Sequence, residues 1–75
     1  MKRFSNYKNY IIATSVLASV GKPFEASFFI LLKVAGDKEE VIHTERLART
    51  FAYSGDAFAA ASQAAQVYID NRQRI

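Results

Sequence analysis

The chain has 75 residues, ten Lys and Arg against seven Asp and Glu, and 51% hydrophobic residues with no Cys and no Trp. That hydrophobic share is too high for a disordered segment, and without Cys neither a disulfide framework nor a thiolate metal site can form. A domain this small buries only ~60–65% of the surface of its unfolded chain, so its margin has to come from packing, with self-association as a further source.

The opening stretch MKRFSNYKNYIIATSVLAS supports two readings. Lys2, Arg3 and Lys8, an apolar run and then Val16-Leu17-Ala18 follow the layout of a secretory leader with its cleavage site. The run is short, however, and Thr14 and Ser15 interrupt it. It is rich in β-branched residues (Ile11, Ile12, Thr14, Val16, Val20), which suit a pleated strand. It also falls well below the ~18–20 residues that cross a bilayer. A strand over residues 8–20 is therefore the preferred reading, and with it a cytoplasmic location and no membrane partner.

A second strand over 24–35 fits the alternation of Phe24, Ala26, Phe28, Ile30, Leu32 and Val34. Gly21-Lys22-Pro23 reads as a three-residue loop, which would set Val20 opposite Phe24, Val16 opposite Phe28 and Tyr10 opposite Val34. A one-residue slip would bring Glu25, Ser27 and Lys33 onto the apolar side, so the parity is well specified. Gly36-Asp37-Lys38 is the next turn signal. In EEVIHTERLARTFA the Glu, Arg, Leu and Ala favour helix, whereas Val41, Ile42, Thr44, Thr50 and Phe51 favour strand. A third antiparallel strand over about 40–52 is the assignment, its charges blunting an exposed sheet edge.

A helix over about 55–73 completes the chain. Ser54 is placed to cap it, with Tyr53 and Phe58 at the staple positions. Asp56 would lie near the positive end of the helix dipole, Arg72 and Arg74 near the negative end, and Asp70 one turn before Arg74. Phe58, Ala61, Ala65, Tyr68 and Ile69 share one side, flanked by Ala57 and Ala64, with Asp56, Gln63, Gln66, Asp70 and Gln73 opposite. The expected fold is a single α+β domain over residues 1–75: a three-stranded antiparallel sheet (β-β-β-α) with this amphipathic helix on one face.

One helix covers one side of such a sheet. The other side would carry Ile11, Ala13, Ser15, Leu17 and Ser19 with Glu25, Ser27, Phe29, Leu31 and Lys33, a half-apolar surface large enough to need a cover. The natural cover is a second copy about a twofold axis, with Ile11, Leu17, Phe29 and Leu31 as its contact residues. In a monomer, residues 1–9 would have to lie over the patch. An unknown protein partner could use the same face.

Residues for catalysis are scarce. His43 is the sole imidazole, and Ser15, Ser19 and Ser54 have no neighbouring base. Gly21, Gly36 and Gly55 form no phosphate loop. Glu40 and His43 have the spacing of a carboxylate–histidine metal pair on a helix, yet on a strand they would point to opposite faces. No catalytic, cofactor or metal site is expected, and the chain reads as a non-enzymatic interaction or regulatory module.

The alternative is a weak nucleic-acid-binding module. Lys2, Arg3 and Lys8 alternate with Phe4, Tyr7 and Tyr10, and Arg46 and Arg49 would extend the positive surface. The tail containing GKPFEASFFILLKVAG resembles, in layout over residues 20–69, the later part of a double-stranded-RNA-binding domain. That family grips phosphates with a pair of lysines at the start of its last helix. Here SGDAFAAAS has an acid and no lysine, and the family's leading helix is missing, so the likeness implies no membership.

Overall fold

The computed structural model describes residues 1–73 except 19, 35 and 37. Four strands precede one helix: β1 (Lys2–Tyr7), β2 (Tyr10–Leu17), β3 (Phe24–Val34), β4 (Lys38–Phe51) and α1 (Ser54–Gln73). The strands form one antiparallel sheet in the order β1-β2-β3-β4. The architecture is α+β with a C-terminal helix, but the sheet has four strands where the sequence suggested three.

The additional strand comes from the first residues. Tyr7 pairs with Tyr10 across Lys8-Asn9, so residues 2–7 fold back along β2 instead of lying over the sheet. Lys8 takes a φ of 56°, a region L-residues enter at a cost and in which this hairpin normally uses Gly. At the far end Met1 and Val16 exchange hydrogen bonds, Val16 N–H to the Met1 carbonyl at 2.9 Å and the Met1 ammonium to the Val16 carbonyl at 3.1 Å.

The strand expected over 8–20 is correspondingly shorter and ends at Leu17. The β2–β3 connection is longer than three residues, with Gly21 at φ 73° in its turn. The register therefore differs from the expected one by two: Val16 lies opposite Ala26 and Tyr10 opposite Leu32. An even slip preserves the faces, because side chains alternate with period two. The Ser19 expected on the outer side lies outside the described residues.

β4 begins two residues earlier than expected, at Lys38, and is irregular. Its pairing with β3 shifts twice. Ile42 is an extra residue between Val41, opposite Leu31, and His43, opposite Ile30. Leu47, Ala48 and Arg49 together face Ala26 alone. Such bulges bend an edge strand and re-aim its side chains. One consequence reverses an expectation: Glu40, opposite Leu32, and His43 fall on the same, helix-facing side.

The core lies between α1 and the sheet. Tyr10, Ile12, Val16, Ala26, Phe28, Ile30 and Phe51 meet Ala57, Phe58, Ala61, Ala65 and Ile69 in one buried cluster. The helix supplies small side chains and the sheet supplies bulk, which lets the axis approach closely and fills the space. The helix rests mainly on β3 and β2 and less on β4. It starts at Ser54, with the Ala57 amide donating to the Tyr53 carbonyl at 3.2 Å, so Tyr53 occupies the capping position. Tyr53 is itself exposed and forms no staple with the buried Phe58. The expected Asp70–Arg74 pair lies outside the described residues.

Candidate interaction surface

The face of the sheet turned away from α1 can be read in rows that cross the strands. Phe4, Ala13, Phe29 and Thr44 form one row. Asn6, Ile11, Leu31 and Val41 form the next. These two rows make an apolar band across all four strands. On one side it is bounded by Lys2, Ser15, Ser27 and Arg46, with Leu17, Glu25 and Thr50 beyond. On the other it is bounded by Lys33 and Glu39.

All four contact residues expected from the sequence, Ile11, Leu17, Phe29 and Leu31, are on this face. Leu17 is 60% exposed, and the other three are partly buried by their neighbours within the sheet. Sequence reasoning missed two more: Phe4, 68% exposed, and Val41, 56% exposed. Phe4 arrives on β1, the strand not foreseen, so the first residues enlarge the apolar band instead of covering it. Val41 reaches this side through the Ile42 bulge. No alternation marks β1, because Lys2, Phe4 and Asn6 on one side and Arg3, Ser5 and Tyr7 on the other each comprise one basic, one polar and one aromatic residue.

The molecule is flat and extended. The Cα envelope is a slab of 44 × 27 × 15 Å, and its radius of gyration is 13.1 Å. A compact chain of this length has a radius near ~11.3 Å. The accessible surface is 5266 Å² for a mass of 8.4 kDa. A compact monomer of that mass exposes about 4,600 Å². The excess of about 650 Å² goes with the thin, elongated form of a single sheet carrying one helix.

The five cations considered for nucleic acid are dispersed over both sides. Lys2 and Arg46 are on the outer face, where Arg46 is ion-paired with Glu25. Arg3 lies on the helix side, its guanidinium 4.1 Å from the Phe58 ring centroid. Arg49 lies 4.7 Å from that of Phe51. Lys8 Nζ donates to Asp70 Oδ1 at 2.6 Å. Tyr7 donates to the same carboxylate at 2.9 and 3.1 Å, tying the β1–β2 turn to the end of α1. The hydrogen bond to Asp70 raises the Tyr7 pKa, and a hydrogen bond to Asp70 likewise raises that of Lys8. Beside them the hydroxyls of Tyr10 and Tyr68 raise the Arg72 pKa.

His43 is engaged in packing. Its ring stacks on Tyr68 with centroids 3.9 Å apart and planes 9° from parallel, and Phe28 lies 5.9 Å away. Its Nε2 is 3.1 Å from Glu45 Oε1. Between β4 and α1 runs an open groove of about 710 Å³ with Leu47, Ala48, Ala60, Ala64 and Val67 along it. Among the described residues, no group of three or more His, Cys, Asp or Glu converges on a point where a metal ion could bind. No helix there is long and apolar enough to cross a membrane. No protein-family model, curated protein or solved structure matches the chain.

Proposed function

We propose that the chain is a small non-enzymatic interaction module that works as a homodimer, with the outer sheet face as its interface. The observation that carries this reading is the apolar band across all four strands, on a broad face that no second layer covers among the described residues. An apolar centre within a polar, charged border is the anatomy of a protein–protein contact. Closed twofold pairing is the commonest way to cover such a face. The reading includes a cytoplasmic location, supported by residues 2–17 being taken up as strands. Nucleic-acid binding has less support, since Arg3, Lys8, Arg46 and Arg49 are each engaged within the chain.

The test is the solution mass across micromolar to submillimolar concentrations. Wild type is expected at twice the chain mass. Phe29→Glu, which puts a carboxylate at the centre of the band, is expected at the chain mass with an unchanged circular-dichroism spectrum. A wild-type protein that stays at the chain mass throughout would overturn the proposal.

A further inference from the structure

We infer that the two copies meet with the twofold axis in the plane of the interface and perpendicular to the strands, so that Arg46 of each copy lies over Glu39 of the other. This rests on the reading of the outer face as the dimer contact, and adds how the copies are oriented and which charges hold them.

The rows of the outer face leave two simple ways to stack it on itself. With the axis across the strands, between the two apolar rows, each strand lies over its own counterpart. The Phe29 row then meets the Leu31 row, and Ala13 falls opposite Ile11, a small side chain against a large one. The bordering rows also exchange. On β4 the row of Ser27 and Arg46 carries Arg46, and the row of Lys33 carries Glu39. Arg46 of each copy therefore faces the second copy's Glu39, twice by symmetry. On β3, Ser27 faces Lys33; on β1, Lys2 faces the Lys8-Asn9 turn, where the Lys8 ammonium is drawn to Asp70 of α1 on the far side of the sheet, so the like charge there is held away from the interface.

With the axis along the strands, each bordering row meets itself and β4 lies over β1. Arg46 then faces the second copy's Lys2, because both belong to the row of Ser15 and Ser27. That contact repeats twice and is repulsive. The apolar rows match either way, so charge decides between the two arrangements. Opposed like charges suppress a wrong register more strongly than rim pairs reward a right one.

Reach and exposure permit the pair. Face-to-face sheets lie ~10 Å apart, a gap that a long Arg and a Glu span from opposite sides at the rim. The Arg46 side chain is 70% exposed even with Glu25 beside it, so its guanidinium has donors left for a second carboxylate. Glu39 is exposed and lies opposite Lys33 on its own sheet. Each end of the dimer then carries a chain of alternating charges: Glu25, Arg46, the second copy's Glu39 and its Lys33.

A charge-swap experiment separates the arrangements, read by sedimentation equilibrium on the full chain at low salt. Arg46→Glu alone and Glu39→Arg alone are each expected to weaken association about tenfold or more, by setting like charges together twice. Mixed one to one, they are expected to form a heterodimer near wild-type affinity, since both cross-copy pairs are again of opposite sign. Circular dichroism of each variant, changed only at exposed positions, confirms that it folds. Tighter association of Arg46→Glu alone points to the axis along the strands and overturns the inference, as does a mixture no tighter than its components. If Phe29→Glu dissociates the dimer while the mixture fails, the face is right and the orientation wrong. If Phe29→Glu leaves the dimer intact, the reading beneath falls as well.

Discussion

Ala61→Leu tests how closely α1 approaches the sheet. Ala57, Ala61 and Ala65 have no exposed surface and share a buried cluster with Ile12, Phe28 and Ile30. Leucine at 61 adds three carbon atoms where neighbours already touch, and such overpacking costs about 1–3 kcal/mol. Leu and Ala have similar helix propensities, so the loss reports packing. A chain of this length has an unfolding entropy near Tm of about 160 cal/mol/K, so Tm should fall by about 6–19 °C. Its whole stability is of order 4–11 kcal/mol, so the variant stays folded with a reduced margin. Ala59→Leu is the control: the same change on the exposed side of α1, with an expected shift within about 3 °C. The assay is thermal unfolding followed by circular dichroism at one protein concentration. Equal melting of the two variants would refute the close contact of the alanine stripe with the sheet.

Three further outcomes are expected. If unfolding is coupled to dissociation, tenfold dilution removes about 1.4 kcal/mol per dimer and lowers Tm by about 4 °C, whereas Phe29→Glu melts independently of concentration. Lys8→Gly relieves the positive φ and forfeits a surface ion pair with Asp70. Its Tm should rise, and by more in molar salt, where the wild-type pair is screened; a lower Tm in molar salt would contradict the strain. Hydrogen bonding to Asp70 raises the pKa of both Tyr7 and Lys8. Their stabilisation is thus full below about pH 10 and is lost as pH rises through the raised values. The Tm gap between wild type and Asp70→Asn should be largest at neutral pH and narrow above pH ~10, and a gap that holds constant would disprove the coupling.

β3 and α1 were legible in the sequence because their apolar residues recur with the periods of strand and helix. The outer-face positions Ile11, Leu17, Phe29 and Leu31 followed from parity alone. Parity does not give the offset: loop length sets it, and the β2–β3 loop is longer than its Gly-Lys-Pro signal suggests. β1 was hidden because five of its six residues are exposed and its turn is Lys8-Asn9, without glycine. The side chosen by Val41 and the shared face of Glu40 and His43 depend on the Ile42 bulge. A bulge leaves no mark in hydrophobic alternation, so nothing in that segment announced either.

The meander places every strand beside its neighbour in sequence and leaves the only covering layer to the final twenty residues described. A chain that stops short of α1 therefore carries all four strands without the helix that shields one side of them. A nascent chain ending before Ser54 holds Phe28 and Ile30 in the open on one side and the apolar band on the other. Sheets in that condition persist poorly and stick to one another. Docking of α1 is thus the step that shields the core side of the sheet, and premature termination within it should yield insoluble product.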